Sequence, residues 1–294
     1  MEPIKSINQI QCLIAEIKNL RKGFLTNYYL DPFKHQVWIN HNDFLFERIN
    51  ESLFLIRKTP DYCNLFYCTT NIEELLSALS LFDNIHHDLF PIIDVVGSEE
   101  QCVPIINQFK KNGYSVYVKL ARMSRVTPLE NTNFIDPHVV SATVEDVSII
   151  RGQLLEYFDA RSEQIPYQEE LNEYAKGNRI LVYKEMGEIR GFVIFESNRS
   201  THYLRYWFVH PDHREKKIGS ALLNTFLREG KNTRRQLFWV ITDNGNAIKR
   251  YRHYGFQFEN MKDYVMCKNL NKSVQGGGKS LICYSLLNNF QIAA

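Results

Sequence analysis

The stretch from Tyr203 to Phe256 sets an order of elements that most constrains what this chain can become. Tyr203-Leu204-Arg205-Tyr206-Trp207-Phe208-Val209 is an apolar run that reads as a strand. A short basic turn follows, His213-Arg214-Glu215-Lys216-Lys217-Ile218-Gly219-Ser220, whose end opens a helix. Gln236 to Ile241 reads as the next strand. It leads into Asn244-x-x-Ala247-x-x-x-Tyr251-x-x-x-Gly255-Phe256, a helix closed by glycine. A strand that turns directly into a helix leaves the first helical amides unpaired and partly positive, so the turn is a natural seat for phosphate oxygens.

The chain has 294 residues, enough for two ordinary domains or one large one. With 44% hydrophobic and 23% charged residues, it has the composition of a soluble globular protein. A formal net charge of +2 argues against a nucleic-acid partner, because phosphate-backbone binding needs a broad basic face. The basic residues instead cluster locally, at Arg214 to Lys217, Arg234-Arg235 and Lys249 to Arg252, which suits a small polyanion. Cys12, Cys63, Cys68, Cys102, Cys267 and Cys283 lack metal-ligand spacing and read as free thiols in a reducing compartment. The opening residues have no signal architecture, and no apolar run approaches the roughly 20 residues of a membrane span. The expectation is a cytoplasmic protein with no membrane partner and no metal.

Periodicity divides the chain. Ile4, Ile7, Ile10, Leu13, Ile14, Ile17 and Leu20 share one face of a first helix. Ser52 to Arg57 and Tyr62 to Thr69 read as strands joined by a Thr59-Pro60-Asp61 turn, and Asn71 caps a helix from Ile72 to Phe82. Pro91 to Val96 reads as a strand, Glu99 to Asn112 as a helix ending at Gly113, and Tyr114 to Leu120 as a strand. These residues make an α/β domain over 1–126. The polar, proline-bounded stretch 127–137 reads as a linker. The pattern restarts with a strand His138 to Ala142, a helix from about Val144 to Phe158, a helical stretch at Gln168 to Lys176, and strands Ile180 to Lys184 and Gly191 to Glu196. A second α/β domain thus covers 138–270. The 271–294 tail holds Gly276-Gly277-Gly278-Lys279-Ser280, which lacks the earlier glycine of a phosphate loop and reads as a flexible linker with a short apolar end.

Ile105 to Tyr114 can be laid on Ala247 to Phe256 without a gap, each block leading into a β-rich run. The two halves read as repeats, with chance likeness of two helix-Gly-aromatic ends as the alternative. Only the second half carries the basic turn. After Thr69 the first half passes straight to Asn71, and Phe109 stands where Tyr251 does.

The ordered set Val209-x-Pro211, Arg214, Gly219, Asn244, Ala247, Tyr251 and Gly255-Phe256 resembles the cofactor-binding half of the GNAT acyl-CoA-dependent N-acyltransferases. The resemblance implies a GNAT fold, a mixed central sheet flanked by helices, for the second domain. The internal likeness makes the first domain a diverged copy without cofactor equipment, if the two halves are repeats. The resemblance also implies acetyl-CoA as cosubstrate, held by the backbone of Phe208 and Val209 along its pantetheine arm and by Arg214, Lys216, Lys217, Ile218, Gly219 and Ser220 at its pyrophosphate, with Asn244 in contact. Tyr251 would lie near the sulfur and act as general acid on the departing thiolate, a task within reach of a phenol with a pKa near 10. Lys217 departs from the family, which has glycine there. Its side chain either adds a contact to phosphate or marks a site that has lost the cofactor.

The acceptor side is less defined. The family often places a base on the fourth or fifth strand, and the matching residues are Tyr203, Arg205 and Trp239, none of them a base at neutral pH. Glu196, His202 and Asp243 lie nearby in sequence. The segment Tyr157 to Glu170 mixes acids and aromatics, either as a seat for a cationic amine or as a solvated helical face. The resulting expectation is direct transfer of acetyl from acetyl-CoA to a primary amine of a small molecule or peptide. The alternative is a non-catalytic acyl-CoA-binding or interaction module.

Overall fold

The computed structural model describes residues 1–126, 136–214 and 216–268. Most of the expected linker and the whole of the expected 271–294 tail lie outside the described residues. In chain order the first half contains β1 (Glu2–Pro3), α1 (Ile7–Asn19), β2 (Leu25–Thr26), α2 (Pro32–Asn40), β3 (Phe44–Ile49), β4 (Ser52–Lys58), β5 (Cys63–Thr69), α3 (Ile72–Ile85), β6 (Pro91–Gly97), α4 (Glu99–Lys111) and β7 (Tyr114–Arg125). The second contains β8 (Val139–Ser141), α5 (Val147–Tyr157), α6 (Gln168–Lys176), β9 (Ile180–Glu185), β10 (Glu188–Ser197), β11 (Thr201–Val209), α7 (Ile218–Glu229), β12 (Arg235–Ile241), α8 (Gly245–His253) and β13 (Gln257–Lys268). No helix among the described residues is long and apolar enough to cross a membrane.

From the first helix pair onward the two halves repeat one order of elements, an α/β fold with a mixed sheet flanked by helices. The aligned blocks end alike. Gly113 and Gly255 follow α4 and α8 in the left-handed region, with φ of +83° and +81°, where an L side chain is strained. Phe109 and Tyr251 are both fully buried. The expected helix from Val144 begins instead as one tight 3-10 turn, Val144–Asp146, before α5. Asp146 explains this turn, because its carboxylate accepts from the Thr143 amide at 2.8 Å and from Lys184 Nζ at 2.8 Å.

Contacts divide the described residues into two units, one of residues 1–119 with 262–268, the other of residues between 120 and 261. The division passes through β7 and β13 rather than through the proline-bounded stretch. In the first unit β13 supplies Lys262 to Cys267 antiparallel to Gly97 to Ile92 of β6. In the second, β7 supplies Leu120 to Arg125 antiparallel to Ile241 to Gln236 of β12. Each unit is therefore completed by a strand segment from the opposite half of the sequence.

In both units the two central parallel strands pair only briefly. β5 and β6 are in register at Cys63↔Pro91 and Asn64↔Ile92, and β11 and β12 only from Thr201↔Arg235 to Tyr203↔Leu237. Beyond those residues each pair opens into a wedge. β11 also carries a bulge. Ile194 pairs with Tyr206 and Phe195 with Leu204, so Arg205 has no opposite residue and the strand bends at the point where the wedge begins.

The first unit buries an acidic pair, Asp94 on β6 and Asp263 on β13, and neither Asp263 oxygen has a hydrogen-bond partner among the described residues. Burial pushes the Asp94 carboxyl up to about 7. Burial, then the Asp94 charge, holds Asp263 well above the usual carboxylate range. Folded carboxyls that keep protons which the unfolded chain gives up near pH 4 make stability fall as pH rises, by about 1.4 kcal/mol per pH unit for each such group. Unfolding midpoints should therefore drop between about pH 4 and pH 7 and continue to drop above it. Asp263→Asn should raise the thermal midpoint at pH 8 by several degrees and leave it nearly unchanged at pH 4, which a melting series across pH would measure.

Candidate functional site

The wedge of the second unit gathers the residues singled out in the sequence. β11 leads from Val209 into the basic turn and α7, and β12 leads through Asn244 into α8, so both helices start at the same end of the parallel strands. Trp207 and Val209 of β11, Ile218 and Leu222 of α7, Phe238 and Val240 of β12, and Ile248 and Tyr251 of α8 share one buried cluster. On the other face Phe208 packs against Tyr157, Phe158 and Phe192. Past Tyr203 no strand among the described residues pairs with the β12-facing edge of β11, which leaves that edge of the Phe208–Val209 segment outside any ladder.

The start of α7 differs from that of α8 in the same unit and from those of α3 and α4 in the first unit. Asn71, Ser98 and Asn244 each cap a helix by accepting a backbone amide at 2.9, 3.3 and 3.1 Å, respectively. Lys217, at the same position of α7, makes no side-chain cap, and the first turn of α7 holds no acid. The first-turn amides are thus left for an external acceptor. Lys217 lies at φ +61° and ψ +6°, in the left-handed region. That conformation accounts for the glycine expected there, since a side chain at positive φ is strained. Lys216 and Lys217 are exposed, and Arg214 is half-buried with its Nε lacking a hydrogen-bond partner among the described residues.

Gly219 meets a need different from backbone approach to phosphate. A Cβ added there would lie 3.1 Å from Cζ2 of Trp207 and 3.4 Å from Cγ2 of Val209, so its absence lets α7 settle onto the β11 side chains. Ser220 is half-buried in the first turn, and Ile218 is buried beneath it. Asn244 is placed as the cap of α8. Tyr251 has no exposed surface, its ring centroid 4.2 Å from Phe238 and 5.7 Å from Trp207.

On the face opposite Tyr251 the structure assembles groups that sequence reasoning left scattered. The bulged Arg205 is buried and donates from Nη1 to Glu196 at 2.5 Å, and the Tyr174 hydroxyl donates to the same carboxylate. Tyr206 donates to the Gln164 carbonyl at 3.0 Å. The loop Ser162 to Pro166 is tucked in rather than solvated, with Glu163 at 0% and Glu170 at 4% exposure. Of the expected candidates for a base, His202 is buried under α7, where its Nε2 lies 2.9 Å from the Phe226 carbonyl and burial lowers its pKa to about 4. Asp243 is exposed. The signal for the Glu163 loop was its mixture of acids with aromatics, but its burial had no local sequence mark.

The wedge of the first unit is closed by its own chain. β2 pairs with β5 at Leu25↔Thr69 and Thr26↔Cys68, on the edge that faces away from β4. Thr26 Oγ1 donates to the Tyr67 carbonyl at 2.6 Å. Asn27 Oδ1 accepts the Tyr67 amide at 2.7 Å, and its Nδ2 donates to the carbonyls of Leu65 at 3.4 Å and Asp94 at 3.1 Å, bridging the two diverging strands. The helix that follows, α3, is capped by Asn71 and carries Glu73 and Glu74 in its first turn, the wrong charge for phosphate.

Residues 148–256 match the model of the acetyltransferase (GNAT) family. The second half carries a GNAT domain. No curated protein sequence matches the chain. Solved structures with the same fold include a putative acetyltransferase from Pyrococcus horikoshii, with 9% identity, a TM-score of 0.58, and coverage of 96% of this chain and 92% of that one. A tandem GNAT protein from the clavulanic acid biosynthesis pathway is 12% identical, with a TM-score of 0.56 and coverage of 90% and 96%. A GNAT-family acetyltransferase from Colwellia psychrerythraea is 14% identical, with a TM-score of 0.54 and coverage of 90% and 97%. These alignments span both halves, as a tandem GNAT arrangement would. The GNAT family typically uses acetyl-CoA. An uncapped α7, an unpaired strand edge and the Arg214 Nε suit such a ligand in the second wedge. No group of three or more His, Cys, Asp or Glu able to hold a metal is found among the described residues.

If Lys217 pays a conformational cost, Lys217→Gly should raise the unfolding free energy by about 1 kcal/mol in urea melts, whereas Lys217→Ala should not. Equal melts for the two variants would refute the strain.

Proposed function

We propose that the protein transfers an acetyl group from acetyl-CoA to a primary amine, using the second unit alone. The observation that carries this reading is the contrast between two wedges built to one plan. The first has its strand edges satisfied by Thr26 and Asn27, and the second leaves its edge and the α7 amides for a ligand. Phe208 and Val209 would pair with the pantetheine amides. Arg214, Lys216 and Lys217, with the amides of Ile218, Gly219 and Ser220, would hold the pyrophosphate. Bound there, acetyl-CoA supplies an activated thioester. Asn244 would hold the α8 start against the arm through its cap. Tyr251, from the α8 side, would give a proton to the departing sulfur.

On the acceptor side, Glu196 pairs with Arg205, and Glu163 and Glu170 are buried close to Tyr206. An acid at this place suits an ammonium, and burial of the Glu163 loop favours this role over a solvated helical face. We assign Glu163 the task of receiving the acceptor ammonium and taking its proton before attack. A second reading, an acyl-CoA-binding module without turnover, is favoured by the complete burial of Tyr251.

Calorimetric titration of acetyl-CoA into wild type should give about one site per chain, because the first wedge is filled, and no binding would sink the proposal. Tyr251→Phe should keep cofactor affinity and lose turnover by about 100-fold, and a full-rate variant removes Tyr251 from the chemistry. Glu163→Gln should lower kcat/KM for the amine by a similar factor, on the order of 100-fold, with cofactor affinity unchanged. Binding without CoA release over a panel of amines, aminosugars and peptides would favour the second reading.

A further inference from the structure

Trp207 is 3% exposed, and its indole Nε1–H has no hydrogen-bond partner among the described residues. A buried donor without an acceptor destabilises the fold, a cost that an apolar side chain does not carry. The ring also has a specific position. It lies beneath Gly219 at the start of α7, 3.1 Å from where a Cβ would stand, and its centroid is 5.7 Å from that of Tyr251. Trp207 thus spans the interval between the turn proposed for the pyrophosphate and the tyrosine proposed for the sulfur. It belongs to the segment of β11 whose β12-facing edge pairs with no strand among the described residues.

We infer that the Trp207 indole N–H donates to an amide carbonyl of the pantetheine arm, making Trp207 a cofactor-binding residue. The assignment rests on the acyl-CoA reading above. Its place between Gly219 and Tyr251, rather than beyond Tyr251, selects the arm over the thioester carbonyl. A free indole N–H in the absence of ligand then becomes one half of a hydrogen bond completed by binding. Binding removes the cost of the orphan donor, and this couples cofactor affinity to the Trp207 side chain.

The test pairs Trp207→Phe with calorimetric titration of CoA and acetyl-CoA, and with thermal unfolding of the ligand-free protein. The variant should bind both ligands about five- to tenfold more weakly, the loss expected for one hydrogen bond, while its apo melt stays a single cooperative transition, lowered only by the packed volume that phenylalanine leaves empty. Equal affinity in the variant overturns the assignment, and weakening confined to acetyl-CoA overturns it in favour of the thioester. Absence of binding by wild type overturns the acyl-CoA reading and this assignment with it. Should the variant misfold, the wild-type protein answers by nuclear magnetic resonance. The chain has 3 tryptophans, and the Trp207 indole proton should move downfield when CoA is added. An unmoved indole resonance overturns the inference.

Discussion

The early end of the ladder between β11 and β12 is the constraint on which the candidate site depends. Parallel strands that stay paired present side chains only, since their amides and carbonyls are consumed by one another. Strands that part after Tyr203↔Leu237 release those groups. The bulge at Arg205 lies two residues past the last paired residue of β11, and the buried Arg205–Glu196–Tyr174 cluster holds the bulged side chain in place. Backbone groups freed in this way need other partners, and a peptide-like arm has the spacing to supply them.

The first half shows the other solution to the same constraint. Its wedge is satisfied internally, with Asn27 acting as a three-bonded bridge between β5 and β6. One asparagine and a two-residue strand are enough to satisfy a wedge of this kind internally. The acids at the start of α3 complement the positive end of their own helix. The copies therefore diverge in what satisfies the exposed backbone rather than in fold.

Much of this was legible in the sequence, for identifiable reasons. The strand, turn and helix from Tyr203 to Gly219 could be read because apolar runs, basic residues and glycine mark them locally. The likeness of Ile105 to Tyr114 and Ala247 to Phe256 pointed to the repeat. The strand exchange left no such mark, because Leu120 to Arg125 looks like the end of any strand and its pairing with β12 depends on residues more than 100 positions away. Filling of the first wedge was equally hidden, since Leu25 to Asn27 has no periodicity and its role lies wholly in long-range hydrogen bonds. The glycine expected at 217 could be named from resemblance, but the backbone reason for it, a positive φ, needed coordinates.

The reciprocal loan of strands has a consequence for how such a chain can change over time. A repeated domain that folds by itself can be lost by deletion. Here the second unit takes the neighbour of its own β12 from residues 120–125, so the first half of the chain is retained as part of the sheet that shapes the candidate site. Equally, β6 of the first half pairs with residues 262–267. Neither unit can be exchanged or trimmed as a module of contiguous sequence, and the pairing edges tie the two halves into one heritable piece.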